Sequence, residues 1–147
     1  MQNENSTTQD EKATADHLIV ISKVKKFIKE QQGLNVSSNF FGKVEGDIRQ
    51  SILEAVDTAK KMGRKTVMGR DFNFYKDNPE VSQILVVAAK VKKLVKDQGD
   101  LNTSAQVMEQ LTVRVQKICL DAIKNAIDDK RKTVMDRDFK TPTVHHE

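Results

Sequence analysis

The 147-residue sequence is poor in aromatic residues and in cysteine. It contains no Trp, one Tyr and six Phe, so that aromatic residues make up only 5% of the chain. This composition fits a helical protein with a core of Leu, Ile, Val and Ala better than a β-sandwich. The single cysteine, Cys119, excludes an internal disulfide. We therefore expect the protein in the reducing environment of the cytoplasm.

Long apolar runs are also missing. No stretch approaches the roughly 20 apolar residues that a membrane-spanning helix requires. Residues 1–16, MQNENSTTQDEKATAD, have neither the basic start nor the apolar middle of a signal peptide. This segment carries four acidic residues and one lysine and is too polar to build a core. We predict that 1–16 is a disordered polar tail.

Positive charge exceeds negative charge in the rest of the chain. Residues 17–79 contain twelve basic and seven acidic residues, and 80–147 contain twelve basic and ten acidic residues. A modest positive excess permits nucleic-acid binding without establishing it. No Ser/His/Asp or Cys/His set could share one pocket, and GRKT at 63–66 lacks the earlier glycine of a phosphate-binding loop. We expect neither an enzyme nor a metal or cofactor site.

The most informative feature is an internal repeat with an offset of 67 residues. The phrase RKTVMGRDF at 64–72 returns as RKTVMDRDF at 131–139. Aligning 17–72 with 84–139 needs no gap and gives 22 identities in 56 positions. One supersecondary unit is therefore used twice. Two copies are too few for a solenoid, so the two units must pair with each other.

Each unit is predicted to contain a helix, a loop, a long helix, a second loop and a short stub. In the first unit, apolar residues recur at helical spacing over about 16–31 and about 38–62, with Ser37 or Ser38 as the cap of the long helix. Pro79 and Pro142 leave room for only a very short third helix. We predict an all-α protein in which units 17–79 and 80–147 share one core.

This order of elements, with RKTVMGRDF at the second loop, resembles the histone fold, and especially the small histones of archaea and some bacteria. The resemblance covers roughly 17–77 and 80–140. It implies two tandem histone folds packed as an intramolecular pseudodimer, a single-chain histone doublet of bacterial or archaeal type. Its strongest motif is Arg-Lys-Thr with an Asp seven residues after the Arg. That motif implies two ion pairs across the loops: Arg64 with Asp71 and Arg131 with Asp138.

The resemblance also implies where DNA would bind. In a histone dimer, the first loop of one unit lies beside the second loop of the other, and both offer groups to phosphates. The implied loop contacts are Lys65 and Thr66 beside Asn102 and Ser104, and Lys132 and Thr133 beside Asn35 and Ser37. A third patch is expected where the two first helices meet. Its candidates, for which a merely solvated surface is an equally good interpretation, are Lys23, Lys26, Lys90 and Lys93.

The sequence departs from the family in three ways, one of which is a long helix about one turn shorter than in the archaeal proteins. Archaeal-type histones have an arginine in the first loop, where this chain has Asn35 and Asn102. The third helix, which the family uses to stack dimers, is almost missing. These departures indicate a monomer that does not build histone-like stacks, closer to a bacterial branch than to a nucleosomal histone.

Two hypotheses about function remain. The first is a nucleoid-associated chromosomal protein that binds double-stranded DNA through its phosphates without sequence specificity, and that has no membrane or small-molecule partner. The second is a histone-fold protein–protein interaction module that does not bind DNA. The acidic residues around the second Lys-Thr loop favour the second hypothesis on that side: Asp128, Asp129 and Asp136.

Overall fold

The computed structural model describes residues 17–72, 81 and 83–141. These residues form four α-helices, four strands of two residues each and two 3₁₀ turns. The predicted tail, the predicted breaks at Pro79 and Pro142 and the ends of both predicted domains lie outside the described residues. None of the described helices is both long and apolar enough to cross a membrane.

The first repeat follows the predicted order of elements. Its apolar residues recur every three or four positions along both helices, and Gly33 ends the first helix in a left-handed conformation, with φ of 73°. The elements are α1 (Ile21–Gln32), β1 (Asn35–Val36), α2 (Ser38–Lys61), β2 (Thr66–Val67) and the 3₁₀ turn Gly69–Asp71.

The second repeat has the same order of elements. Asp100, with φ of 55°, takes the place of Gly33 at the end of its first helix. The elements are α3 (Ala88–Gly99), β3 (Asn102–Thr103), α4 (Gln106–Asp128), β4 (Thr133–Val134) and the 3₁₀ turn Asp136–Asp138.

The first helix begins at Ile21, five residues later than predicted. The residues before it are extended because they pair with the matching segment of the second repeat. The N–H of Val20 donates to the carbonyl of Leu85 at 2.8 Å, and the N–H of Val87 donates to that of Leu18 at 2.7 Å. Local periodicity could not reveal this pairing, because the same apolar residues suit a helix and a buried strand.

The two repeats pack into one core. Helix α2 contacts α3 and α4, and α1 contacts α4, while the strands pair across the repeats as β1 with β4 and β2 with β3. Burying each Val, Leu, Ile or Phe side chain contributes about 1.5–3 kcal/mol. Fully buried side chains come from both repeats and include Val24, Ile28, Phe40, Ile48, Ile52, Val91, Val95, Leu111 and Ile118.

Cys119 belongs to this core. Its side chain is fully buried, and burial raises the pKa of the thiol to about 12. A thiol with such a pKa is protonated at neutral pH and is a poor nucleophile. The cysteine therefore packs as a small apolar residue, in the position that Ile52 occupies in the first repeat.

Candidate nucleic-acid interface

The first loop of repeat 1 lies beside the second loop of repeat 2. In the parallel pairing of β1 with β4, Asn35 is opposite Thr133 and Val36 is opposite Val134. The N–H of Asn35 donates to the carbonyl of Lys132 at 3.0 Å. We call this surface, formed by 35–37 and 132–134, the Asn35 face.

The reciprocal pair of loops forms a second surface. In the pairing of β2 with β3, Thr66 is opposite Asn102 and Val67 is opposite Thr103. The N–H of Asn102 donates to the carbonyl of Lys65 at 2.9 Å. We call this surface, formed by 65–67 and 102–104, the Asn102 face. The structure thus brings together the loop residues that the sequence assigned to each DNA contact.

Alternation along the short strands decides which loop side chains reach solvent. Val67 and Val134 are fully buried and anchor the two second loops. The residues just before them are turned outward: Lys65 and Lys132 are exposed, and Thr66 and Thr133 are half-buried. Asn35 and Asn102, opposite the threonines, are exposed as well. Each face therefore presents a Lys, a Thr and an Asn side by side.

The two serines of the first loops are oriented differently from the expectation. The hydroxyl oxygens of Ser37 and Ser104 are buried and have no hydrogen-bond partner among the described residues. Their N–H groups already donate to the carbonyls of Val134 and Val67, at 2.8 and 2.9 Å. Ser37 precedes α2 but makes no side-chain cap bond. A phosphate could reach these hydroxyls only after the side chains rotate.

Both second loops are closed by an arginine–aspartate ion pair. Arg64 donates through Nη1 to Oδ2 of Asp71 at 2.9 Å and through Nη2 to Oδ1, and Nη1 also donates to the carbonyl of Thr66 at 3.1 Å. The N–H of Met68 donates to Oδ2 of Asp71 at 2.8 Å. We call this arrangement a clasp, because it holds the loop closed while Lys65 points outward.

The second repeat has the same clasp. Arg131 donates to Oδ2 of Asp138 at 2.9 Å, to its Oδ1 at 2.5 Å and to the carbonyl of Thr133 at 3.0 Å. Burial alone would raise the pKa of Asp71 and Asp138. The bonds from the arginine and from a backbone N–H outweigh burial, and the pKa of each carboxyl lies below its usual value. Both clasps are therefore ionised pairs at neutral pH.

No protein-family model and no curated protein sequence matches the chain. Among solved structures, the chain is similar to the crystal structure of the histone from Methanopyrus kandleri, with a TM-score of 0.62 and 16% sequence identity over 82% of this chain and 89% of that one. The chain has a histone-like fold. The prediction of an all-α, histone-like architecture is confirmed.

The two second loops of the histone-like fold carry different charge. Gly69 is buried, and a Cβ atom there would lie only 3.1 Å from Cβ of Gln106, whereas the equivalent Asp136 is exposed. Asp129 is held by Arg131 at 2.7 Å and lies 3.6 Å from Arg137. The hydrogen bond from Arg131 lowers the pKa of Asp129. Asp129 thus stays charged beside two arginines, and Asp136 adds a further carboxylate four residues after Lys132.

The first helices also differ, and the lysines of repeat 1 are again the less neutralised. Among the described residues, Lys25 and Lys26 have no carboxylate partner within ion-pair distance, and Lys29 donates to Oδ1 of Asn35 at 3.4 Å. These three lysines line a cavity with a volume of about 340 Å³ at the Asn35 face. In α3, by contrast, Lys93 pairs with Asp97 at 2.9 Å and Lys96 with Asp100 at 3.2 Å.

The third predicted patch spans the starts of α1 and α3. Lys23 and Lys90 are half-buried in the first turns of these helices, next to the paired segments 18–20 and 85–87. Lys26 is exposed, whereas Lys93 is held by Asp97. Among the described residues, Lys26 is thus the one of the four that is exposed and not held by a carboxylate. Within the described part of the chain, no group of three His, Cys, Asp or Glu residues is placed to hold a metal ion.

Proposed function

We propose that the protein binds double-stranded DNA through its phosphates and without sequence specificity, as a nucleoid-associated chromosomal protein. The observation that carries this proposal is the cross-repeat pairing of loops, which gives each face an exposed lysine next to a paired threonine and asparagine. Lysine binds phosphate as a point charge, and threonine and asparagine add neutral hydrogen bonds. Such contacts position a protein on the duplex without reading bases.

In this proposal the chain is a single-chain histone doublet whose two repeats form an intramolecular pseudodimer. The paired loops, the paired segments before α1 and α3 and the shared core support that arrangement. Because each repeat supplies half of both faces, one molecule would offer two phosphate-binding surfaces. The first-helix lysines would extend the Asn35 face.

The proposal is tested by fluorescence anisotropy with two unrelated duplexes of equal length. Both should bind with similar affinity. The variant Lys65→Ala/Lys132→Ala, which removes one charge from each face, should weaken binding roughly tenfold at moderate salt. The control Lys117→Ala/Lys124→Ala removes two lysines of α4 outside both faces and should change affinity less than about twofold. Equal losses in the two variants would contradict the assignment of the faces.

The second candidate function is a protein–protein interaction module. It is favoured by two exposed apolar residues of α4, Leu120 and Ile127, which are 44% and 42% exposed. With Ile123, Gln31 and Gln32 they line a groove of about 270 Å³. Exposed apolar patches often mark binding sites for other proteins. Under this alternative, neither duplex binds even at low salt, whereas Leu120→Ser/Ile127→Ser would abolish the binding of a partner.

A further inference from the structure

Two pairs of equivalent residues, each 67 positions apart, contact each other directly. Ile19 forms an isolated antiparallel bridge with Val86, and Arg114 forms an ion pair with Asp47. When two related units touch through equivalent residues, those residues lie on the approximate two-fold axis that relates the units. The Asp47–Arg114 pair therefore marks the point on this axis where α2 meets α4.

This ion pair is buried and has two bonds. Nε of Arg114 donates to Oδ1 of Asp47 at 2.5 Å, and Nη2 donates to Oδ2 at 2.9 Å. The side chains are only 8% and 7% exposed. A forked bond of this kind compensates each charge for the water it has lost. Reversing one partner would bring two like charges into contact in the interior.

The chemistry of the pair is possible only because the two repeats differ at this position. In a dimer of two identical repeats, the same residue would approach the axis from both sides. Aspartate would then face aspartate, or arginine would face arginine, and two like charges would be buried in contact. The neighbouring equivalent pairs, Val44 with Leu111 and Ile48 with Val115, are buried and apolar on both sides and do not discriminate between partners.

We propose that Asp47 and Arg114 decide which repeat pairs with which. The pairing surface of repeat 1 accepts repeat 2 and rejects a second copy of itself, and the same holds for repeat 2. The partner that fits each surface is a histone-like unit with the opposite charge at the equivalent position. When two chains meet, only unlike repeats can pair.

Full-length charge-reversal variants test this proposal. Asp47→Arg places two arginines on the axis, and Arg114→Asp places two aspartates there. Each single variant should lower the melting temperature by about 10 °C or more, or abolish cooperative unfolding. The double variant Asp47→Arg/Arg114→Asp restores an unlike pair and should recover most of the loss. The control Lys117→Asp, a reversal at a side chain of α4 that is 47% exposed, should have little effect.

A mixing experiment separates partner choice from simple stabilisation. The two single variants are unfolded in urea, mixed in equal amounts and refolded together. Repeat 1 of one variant then carries the charge opposite to that of repeat 2 of the other. The mixture should form a species with the mass of two chains and a higher melting temperature than either variant alone. If the double variant is no more stable than the single variants, or if the mixture behaves as the sum of its two components, the proposal is wrong.

Discussion

Each clasp joins three parts of a second loop through one guanidinium group. Arg64 reaches both oxygens of Asp71 and the carbonyl of Thr66, so the backbone on either side of the Lys-Thr pair is fixed. Asp71 and Asp138 have side chains only 2% and 3% exposed. At the scale of residues, the ion pairs thus fix the loops from which the exposed Lys65 and Lys132 project.

The clasps make stability depend on pH in the acid range. The pKa of Asp71 and Asp138 is lowered in the folded protein. Their stabilisation is therefore complete above the unfolded-state pKa of about 4 and is lost as the pH falls through the lower folded-state pKa. We predict that the free energy of unfolding, measured by urea denaturation, falls between pH 7 and pH 3. Asp71→Asn/Asp138→Asn should be less stable at pH 7 and should show a smaller fall.

The control for this prediction is Asp57→Asn/Asp121→Asn. It removes two carboxylates that are 63% and 37% exposed and that each pair with a lysine one turn away. Such exposed pairs contribute about 0–1 kcal/mol each, so this variant should keep the pH dependence of the wild type. A clasp variant that loses as much stability between pH 7 and pH 3 as the wild type would contradict the account of the clasps.

At the scale of elements, each face combines the second loop of one repeat with the first loop and first helix of the other. At each face, the lysines of one of these elements are partly neutralised by acidic residues, and those of the other are not. The Asn102 face combines the second loop with Gly69, which adds no acid, and helix α3, where Lys93 and Lys96 are held by aspartates. The Asn35 face combines the second loop that contains the exposed Asp136 with α1, whose Lys25 and Lys26 have no carboxylate partner among the described residues. Each face therefore has one strong basic element, from repeat 1 in both cases.

One consequence is that the second loops of the two repeats should contribute unequally to DNA binding. Asp136 and Asp128 are each four residues from Lys132 in the sequence, and negative charge near a phosphate offsets what the lysine supplies. Lys65→Ala/Thr66→Ala should therefore weaken DNA binding several-fold more than Lys132→Ala/Thr133→Ala, as measured by anisotropy. Equal losses would show that Asp136 and Asp128 do not influence the bound phosphate.

The second consequence concerns the first helices. Here too we expect the variant in repeat 1 to lose more DNA affinity than the variant in repeat 2. Lys93 and Lys96 must release their aspartates before they contact a phosphate, whereas Lys25 and Lys26 need not. The triple alanine variant of Lys25, Lys26 and Lys29 should thus lose more DNA affinity than the triple variant of Lys92, Lys93 and Lys96. Both variants remove three charges from one helix, so each serves as the control for the other. A larger loss from the α3 variant would assign DNA contact to the other first helix.

Local features of the elements could be predicted from the sequence, and contacts between distant elements only in part. Helical spacing predicted α2 to within one residue, and the resemblance to histones identified Arg64 and Asp71 as partners seven residues apart. The Asp47–Arg114 pair was missed, since it depends on where two long helices cross. Aligning the repeats places a buried aspartate opposite an arginine in an otherwise apolar stripe, which is a signal that could have found it. No pattern in the neighbouring sequence predicts that the hydroxyl of Ser37 turns inward.

At the scale of the whole molecule, the histone-like fold carries the Asn35 face and the Asn102 face on one chain. The ends of α2 and α4 differ in charge, with Lys60 and Lys61 on one and Asp128 and Asp129 on the other. Contacts between such exposed ends are worth about 0–1 kcal/mol per ion pair. A complex that forms at micromolar protein needs about 8 kcal/mol. These ends are therefore too weak to hold a stack of molecules.

We predict that the protein is a monomer in solution and binds DNA molecule by molecule. Light scattering at two concentrations tenfold apart should give the mass of one chain at both. Nuclease digestion of the DNA complex should give no regular ladder, because no stack would wrap the duplex in steps. A stable dimer of doublets, or a regular series of protected fragments, would mean that the molecule stacks as histones with a full third helix do.

The central claim is that charge on two lysine-bearing faces, and not base recognition, binds the DNA. The most direct test is the dissociation constant for a duplex of random sequence, measured by anisotropy at a series of salt concentrations. If about four to six phosphates are neutralised, the logarithm of the association constant should fall against the logarithm of the salt concentration with a slope of roughly −4 to −5. An affinity that stays constant from low to moderately high salt, or that differs strongly between unrelated duplexes, would contradict the claim.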